Sequence, residues 1–124
     1  MSGIYLEDWD SADKVYRDFD VQEPEGIEIL LACYTYVWYE GSAFVLYRDN
    51  KDGKLYEVNG GHCSCYGLEG QWSPEETNVE VLRHRIEKGR LGQGYDGEGR
   101  FVDELTAVLD AIGGDGNSEI KSAA

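Results

Sequence analysis

No stretch of this 124-residue chain approaches the ~18 consecutive apolar residues that a membrane-spanning helix needs, so a membrane protein is not expected. The N-terminal run MSGIYLEDWD lacks the basic and apolar regions of a secretory signal, which points to a cytoplasmic protein. Cysteine is sparse and odd in number. Cys33, Cys63 and Cys65 cannot all pair within one chain, and a bridge between Cys63 and Cys65, one residue apart, would be strained. Reduced thiols are the expectation. Catalytic signatures are also missing: there is no G-x-S-x-G elbow and no H-E-x-x-H. A cysteine nucleophile with His62 or His84 as its base would need nearby positive charge to lower the thiol pKa, and the surroundings are acidic. The pairs Glu75-Glu76 and Asp103-Glu104 read as helix starts that complement the dipole. Without a nucleophile, base and orienting group, catalysis is not expected.

Positive charge is scarce too. Eleven Lys and Arg face 25 Asp and Glu, for a net charge of −14. Such a field repels nucleic acid and anionic membrane, and it speeds encounter with basic surfaces. The charge is uneven: residues 1–40 hold ten acidic side chains against Lys14 and Arg17, while residues 41–70 are nearly balanced.

Apolar residues make up 41% of the chain and aromatics 12%, enough for one packed core and hence a single domain. Its expected organisation is an acidic helical segment (1–26), a sheet core (27–72), two helices (73–113) and a flexible tail (114–124). Asp10 or Ser11 caps a helix over 11–19, with Val15, Tyr16 and Phe19 on one face. Ile27–Trp38 reads as a strand apolar on both sides, with Ile29, Leu31, Cys33, Thr35 and Val37 opposite Leu30, Ala32, Tyr34, Tyr36 and Trp38. A turn at Glu40-Gly41-Ser42 leads to a strand over 43–48. Asn50-Lys51-Asp52-Gly53, whose glycine permits positive φ, connects it to a strand over 54–58. Asn59–Gly67 reads as a loop or a short irregular strand. Ser73-Pro74-Glu75-Glu76 carries the letters of a capping box and predicts a helix with Val79, Leu82 and Ile86 inward, stopping at Gly89. Residues 89–100 read as a glycine-rich loop. Phe101, Leu105, Val108, Leu109 and Ile112 trace a last helix ended by Gly113. The fold class expected is α+β: a three-stranded antiparallel meander packed with two to three helices.

Gly92-Gln93-Gly94-Tyr95-Asp96-Gly97 has the letters of a dinucleotide-binding turn, but it follows a helix, and its acidic residues would repel phosphate. It reads as a linker. His62, Cys63 and Cys65 are soft ligands that suit zinc, although a structural site needs four and the C-x-C spacing is short. Free thiols packed near the sheet are the plainer reading. The aromatic set Tyr34, Tyr36, Trp38, Tyr39, Tyr47 and Tyr56 reads chiefly as cross-strand core, with an exposed patch ringed by acid as its functional alternative. Trp9, flanked by Glu7, Asp8 and Asp10, is the better candidate for an exposed anchor. With Asp13, Asp18 and Asp20 these residues form the candidate binding surface.

The runs Tyr34-Thr35-Tyr36, Gly41-Ser42-Ala43-Phe44-Val45-Leu46, Gly53-Lys54-Leu55-Tyr56-Glu57-Val58-Asn59-Gly60 and His62-Cys63-Ser64-Cys65-Tyr66-Gly67-Leu68-Glu69-Gly70-Gln71-Trp72 resemble a group of small bacteriophage- and prophage-encoded proteins with no assigned activity. The resemblance covers roughly residues 30–90 and leaves the acidic N-terminus largely outside. It implies action inside an infected bacterium, as an inhibitor of host defence of the anti-CRISPR or anti-restriction kind. The implied partner is a basic host protein or defence complex, whose nucleic-acid channel the carboxylates would fill in place of phosphate. A zinc-stabilised module built on Cys63 and Cys65, and a toxin-neutralising immunity protein, are the alternatives.

Overall fold

The structure, a computed structural model, describes residues 3–37, 40–63, 67–92 and 101–113. Eight elements follow in order: β1 (Ile4–Glu7), α1 (Ala12–Phe19), β2 (Ile27–Val37), β3 (Glu40–Asp49), β4 (Leu55–His62), β5 (Glu75–Thr77), α2 (Val79–Glu87) and α3 (Val102–Gly113). The chain divides into two compact units, Met1–Thr77 and Asn78–Ala124.

The first unit is built on a five-stranded sheet in the order β1-β2-β3-β4-β5. The antiparallel meander expected from the sequence is its centre, β2-β3-β4, and two edge strands enlarge it. β1 lies parallel to β2, with Leu6 opposite Cys33. Parallel neighbours need a crossover, and α1 supplies it. The segment expected to be helical therefore also contributes a strand. β5 pairs antiparallel with β4, Glu75 opposite Glu57 and Thr77 opposite Leu55. The sheet is mixed, not purely antiparallel.

β5 also corrects the expected start of the second helix. Ser73-Pro74-Glu75 does not cap it; the sheet edge draws residues 75–77 into extended backbone. Asn78 takes over, its side chain accepting from the Val81 amide at 2.9 Å. The turn expected at Glu40-Gly41-Ser42 likewise belongs to β3, and β4 runs on through two glycines to His62.

α1 forms where expected. Ser11 caps it, Val15, Tyr16 and Phe19 are buried, and the chain leaves through Asp20 in the left-handed region, φ 59°. These side chains pack on Ile29, Ala32, Tyr34, Ala43, Val45, Tyr47 and Val58 of the sheet. The two faces of β2 are not those of simple alternation. Ile29 pairs with Tyr47 and Leu31 with Leu46, so Leu30 is an extra residue. This bulge shifts the phase and puts Ile29 on the α1 face together with Ala32 and Tyr34. Leu31, Cys33, Phe44 and Leu46 are buried on the opposite face. There Glu57 is also buried, and it accepts from Asn59 Nδ2 at 2.9 Å. The β3–β4 turn is as expected, with Gly53 at φ 72° and its amide donating to the Asp49 carbonyl at 2.7 Å.

In the second unit α2 buries Leu82, with Val79 and Ile86 half-buried, and Gly89 follows its end as expected. α3 buries Leu105 and Leu109, and Phe101 just before it is buried as well. The two helices pack on each other, and Arg83 donates to Asp110 at 2.8 Å. Most of the glycine-rich loop, including Gln93-Gly94-Tyr95-Asp96-Gly97, and the tail from Gly114 to Ala124 lie outside the described residues. No helix among the described residues is long and apolar enough to cross a membrane.

Candidate interaction surface

Leu6-Glu7-Asp8-Trp9 makes a tight turn as the chain leaves β1. The Trp9 amide donates to the Leu6 carbonyl at 3.3 Å, and the Asp8 amide donates to the Tyr34 carbonyl at 3.0 Å. Glu7 takes a positive φ of 63° to make the turn, a conformation that side chains with a Cβ rarely adopt. The turn sends Trp9 inward. Trp9 is 1% exposed, so it is not the surface anchor that its acidic neighbours suggested. Its ring packs against Phe19 at 5.9 Å and Tyr34 at 5.1 Å, and its indole N–H donates to Asp18 Oδ2 at 2.8 Å. The hydrophobic gain from an aromatic ring, with a partner for its one polar atom, outweighs the charge of the residues beside it.

The six candidate carboxylates separate accordingly. Asp18 is half-buried and holds the Trp9 indole. Glu7, Asp8, Asp10, Asp13 and Asp20 are exposed, at the end of β1, in the turn, in the first turn of α1 and at its end. Lys14 reaches Asp10 at 3.9 Å, an exposed pair of small energetic weight.

A second group lies on the α1 face of the sheet near Tyr34. Tyr36 is opposite Gly41, and Gly41 is opposite His62, so Tyr36 and His62 flank a position with no side chain. They meet across it, ring centroids 5.0 Å apart and edge to face at 72°. A Cβ on Gly41 would run into the His62 ring. His62 Nε2 lies 2.5 Å from the Tyr34 hydroxyl, and Nδ1 lies 2.8 Å from the Cys63 carbonyl. A carbonyl is an acceptor alone, so Nδ1 carries the proton; in the neutral ring Nε2 then accepts from Tyr34. Burial pushes the Tyr34 hydroxyl up to about 12, and the nearby charges of Asp18, Asp8 and Glu69 push it the same way. Tyr36 is 46% exposed.

Farther along the same face, Tyr47 stacks on Tyr56 at 5.5 Å and on Trp72 at 6.0 Å. Tyr56 donates to Asp52 at 2.7 Å, and that bond raises the Tyr56 hydroxyl to about 12. The aromatic set is thus largely core, as expected, and Tyr36 is its exposed member among the described residues; Trp38 and Tyr39 lie outside them.

Of the three candidate zinc ligands, His62 has both ring nitrogens in contact with protein atoms, Cys63 is exposed, and Cys65 lies outside the described residues. Among the described residues no group of three or more His, Cys, Asp or Glu side chains is placed to hold a metal ion. Cys33 is buried, its Sγ 4.0 Å from the Thr35 hydroxyl. Tyr36 and His62 both stand out in the sequence, but nothing local joins them; they meet because Gly41, expected in a turn, lies in β3 between them.

Comparison with family models, with curated proteins and with solved structures found no match to this chain.

Proposed function

We propose that this protein is a binding module whose acidic β1–α1 face docks on a positively charged surface of another protein. The supporting observation is the placement of Glu7, Asp8, Asp10, Asp13 and Asp20, all exposed: Glu7, Asp8, Asp13 and Asp20 at a strand end, in a tight turn or on a helix or its cap, and Asp10 next to the Ser11 cap. Carboxylates on such a support need little ordering when a partner arrives, so less of the attraction is lost to side-chain and backbone entropy. They also steer encounter with a basic surface. With the resemblance to phage-encoded proteins as its further ground, the reading extends to the partner. That partner is a nucleic-acid-handling defence protein of a bacterial host, and docking inhibits it by occupying the place of phosphates. The site of action is then the cytoplasm of the infected cell.

The test is affinity capture from bacterial lysate with the wild-type chain and with an Asp8→Asn, Asp10→Asn, Asp13→Asn, Asp20→Asn variant. Asparagine keeps the side-chain shape and tolerates the left-handed backbone at position 20. The wild type is expected to retain a basic nucleic-acid-binding protein that the variant loses. Recovery of neutral or acidic partners alone, or of the same partners by both chains, contradicts the proposal.

A further inference from the structure

An exposed aromatic ring on an acidic protein has a specific complement. The face of a tyrosine carries the negative side of its quadrupole and attracts a cation placed over it. Tyr36 is suited to that role by rigidity as well as exposure. Its ring is braced edge to face by His62, and His62 is itself fixed at both nitrogens, by the Tyr34 hydroxyl and the Cys63 carbonyl. Tyr34 adds a second tilted ring 6.4 Å from Tyr36. Gly41 leaves room for this packing, so the ring is held from the sheet side.

The charges around the cluster have the right sign. Asp18 from α1, Asp8 from the turn after β1 and Glu69 from the segment before Trp72 all act on the Tyr34 hydroxyl. They come from three separate parts of the first unit, and Asp8 and Glu69 are exposed. A basic side chain arriving at Tyr36 approaches an aromatic face 6.4 Å from the Tyr34 ring on which those carboxylates act. Tyrosine and arginine are the residue types most enriched at the energetic centres of interfaces, and guanidinium stacks on rings where the compact, strongly hydrated ammonium of lysine does so less well.

We propose that Tyr36, braced by His62, is the stacking platform for an arginine side chain of the partner. The inference rests on the docking reading above and adds to it the partner's anchoring residue type.

The experiment uses labelled hexa-arginine and hexa-lysine peptides as probes, with binding followed by fluorescence anisotropy at low and moderate salt. Guanidinium also binds carboxylates in a bidentate manner, so the deciding quantity is the arginine-over-lysine preference of wild type compared with Tyr36→Leu. Wild type is expected to favour hexa-arginine, and Tyr36→Leu to lose about fivefold of that preference while hexa-lysine binding stays unchanged. Tyr36→Phe, which keeps the ring, should retain it. A readout independent of any variant is the upfield ring-current shift of arginine side-chain protons when the peptide binds the wild type. An unchanged preference in Tyr36→Leu, or no upfield shift, overturns the assignment. If the four-Asn variant loses both peptides while Tyr36→Leu loses neither, the docking face stands and the platform falls. If wild type binds neither peptide at low salt, both readings fall.

Discussion

The two units of this chain use their charges differently. Met1–Thr77 carries sixteen carboxylates against five Lys and Arg, a net of −11; Asn78–Ala124 carries nine against six, a net of −3. The cores differ as well. The first is strongly aromatic, with Trp9, Tyr16, Phe19, Tyr34 and Tyr47 around the sheet. Among the described residues of the second, the buried hydrophobic side chains are leucines and Phe101. Both units carry exposed ion pairs, Lys14 with Asp10 and Lys54 with Glu76 in the first and Arg83 with Asp110 in the second. In the first, Glu7, Asp8, Asp13 and Asp20 also stand exposed. Charge of one sign gathered on an ordered face destabilises the fold by self-repulsion. A sheet with a dense aromatic core is the support that tolerates it, and the docking face proposed above falls in this unit.

The largest effect that would sharpen this contrast is expected at Trp9. Trp9→Ala removes two ring contacts and leaves Asp18 half-buried without its donor, so chemical denaturation should show a loss of about 3–5 kcal/mol. A cost under about 1 kcal/mol would mean that the first unit does not depend on its aromatic core. Alkaline pH comes next. Burial raises Tyr5, Tyr16, Tyr34 and Tyr47, the hydrogen bond to Asp52 raises Tyr56, and Tyr16, Tyr34 and Tyr56 reach about 12. All five belong to the first unit. Unfolded phenols ionise near their ordinary value of 10.0. This stabilisation is therefore fully present below that value and is lost as pH rises toward about 12. Phenolate absorbance and sheet circular dichroism should change together across that window; free titration of these tyrosines near their ordinary value would contradict it. Gly41→Ala follows, at about 1–3 kcal/mol, because the new methyl displaces the His62 ring and parts it from Tyr34. The smallest effect is expected in the second unit: Arg83→Ala removes an exposed ion pair, and its melting curve should shift by no more than about 1 kcal/mol in equivalent stability.

Much of the architecture was legible where local signals agreed with tertiary ones. Ser11 with Val15, Tyr16 and Phe19 named α1 correctly, and the Asn50–Gly53 turn fixed the β3–β4 register. The misreadings have a common cause in non-local pairing. β1 is four residues long, and a parallel partner leaves no hairpin turn beside it to announce the pairing. Ser73-Pro74-Glu75 is a good helix start by composition, yet pairing of Glu75 and Thr77 with β4 prevails over it. The bulge at Leu30 shifts the alternation of β2 in mid-strand, which periodicity alone does not reveal. Of the six candidate carboxylates, the exposure of Glu7, Asp8, Asp10, Asp13 and Asp20 follows from their charge, whereas Asp18 is half-buried beneath its bond to Trp9. The charge of its neighbours suggests an exposed Trp9, yet the turn at Glu7 separates them and sends the ring inward. That Tyr36 and His62 meet depends on the register across Gly41.

Location of charge, as distinct from its total, is tested most directly by two variants with equal loss of charge. One carries Asp8→Asn, Asp10→Asn, Asp13→Asn and Asp20→Asn; the other carries Glu80→Gln, Glu87→Gln, Asp103→Asn and Asp110→Asn. With intact folds verified by circular dichroism, affinity for the captured basic partner is measured side by side. The first variant is expected to lose binding and the second to retain it. Equal losses in both would show that net charge alone attracts the partner, and that the β1–α1 face has no special part in it.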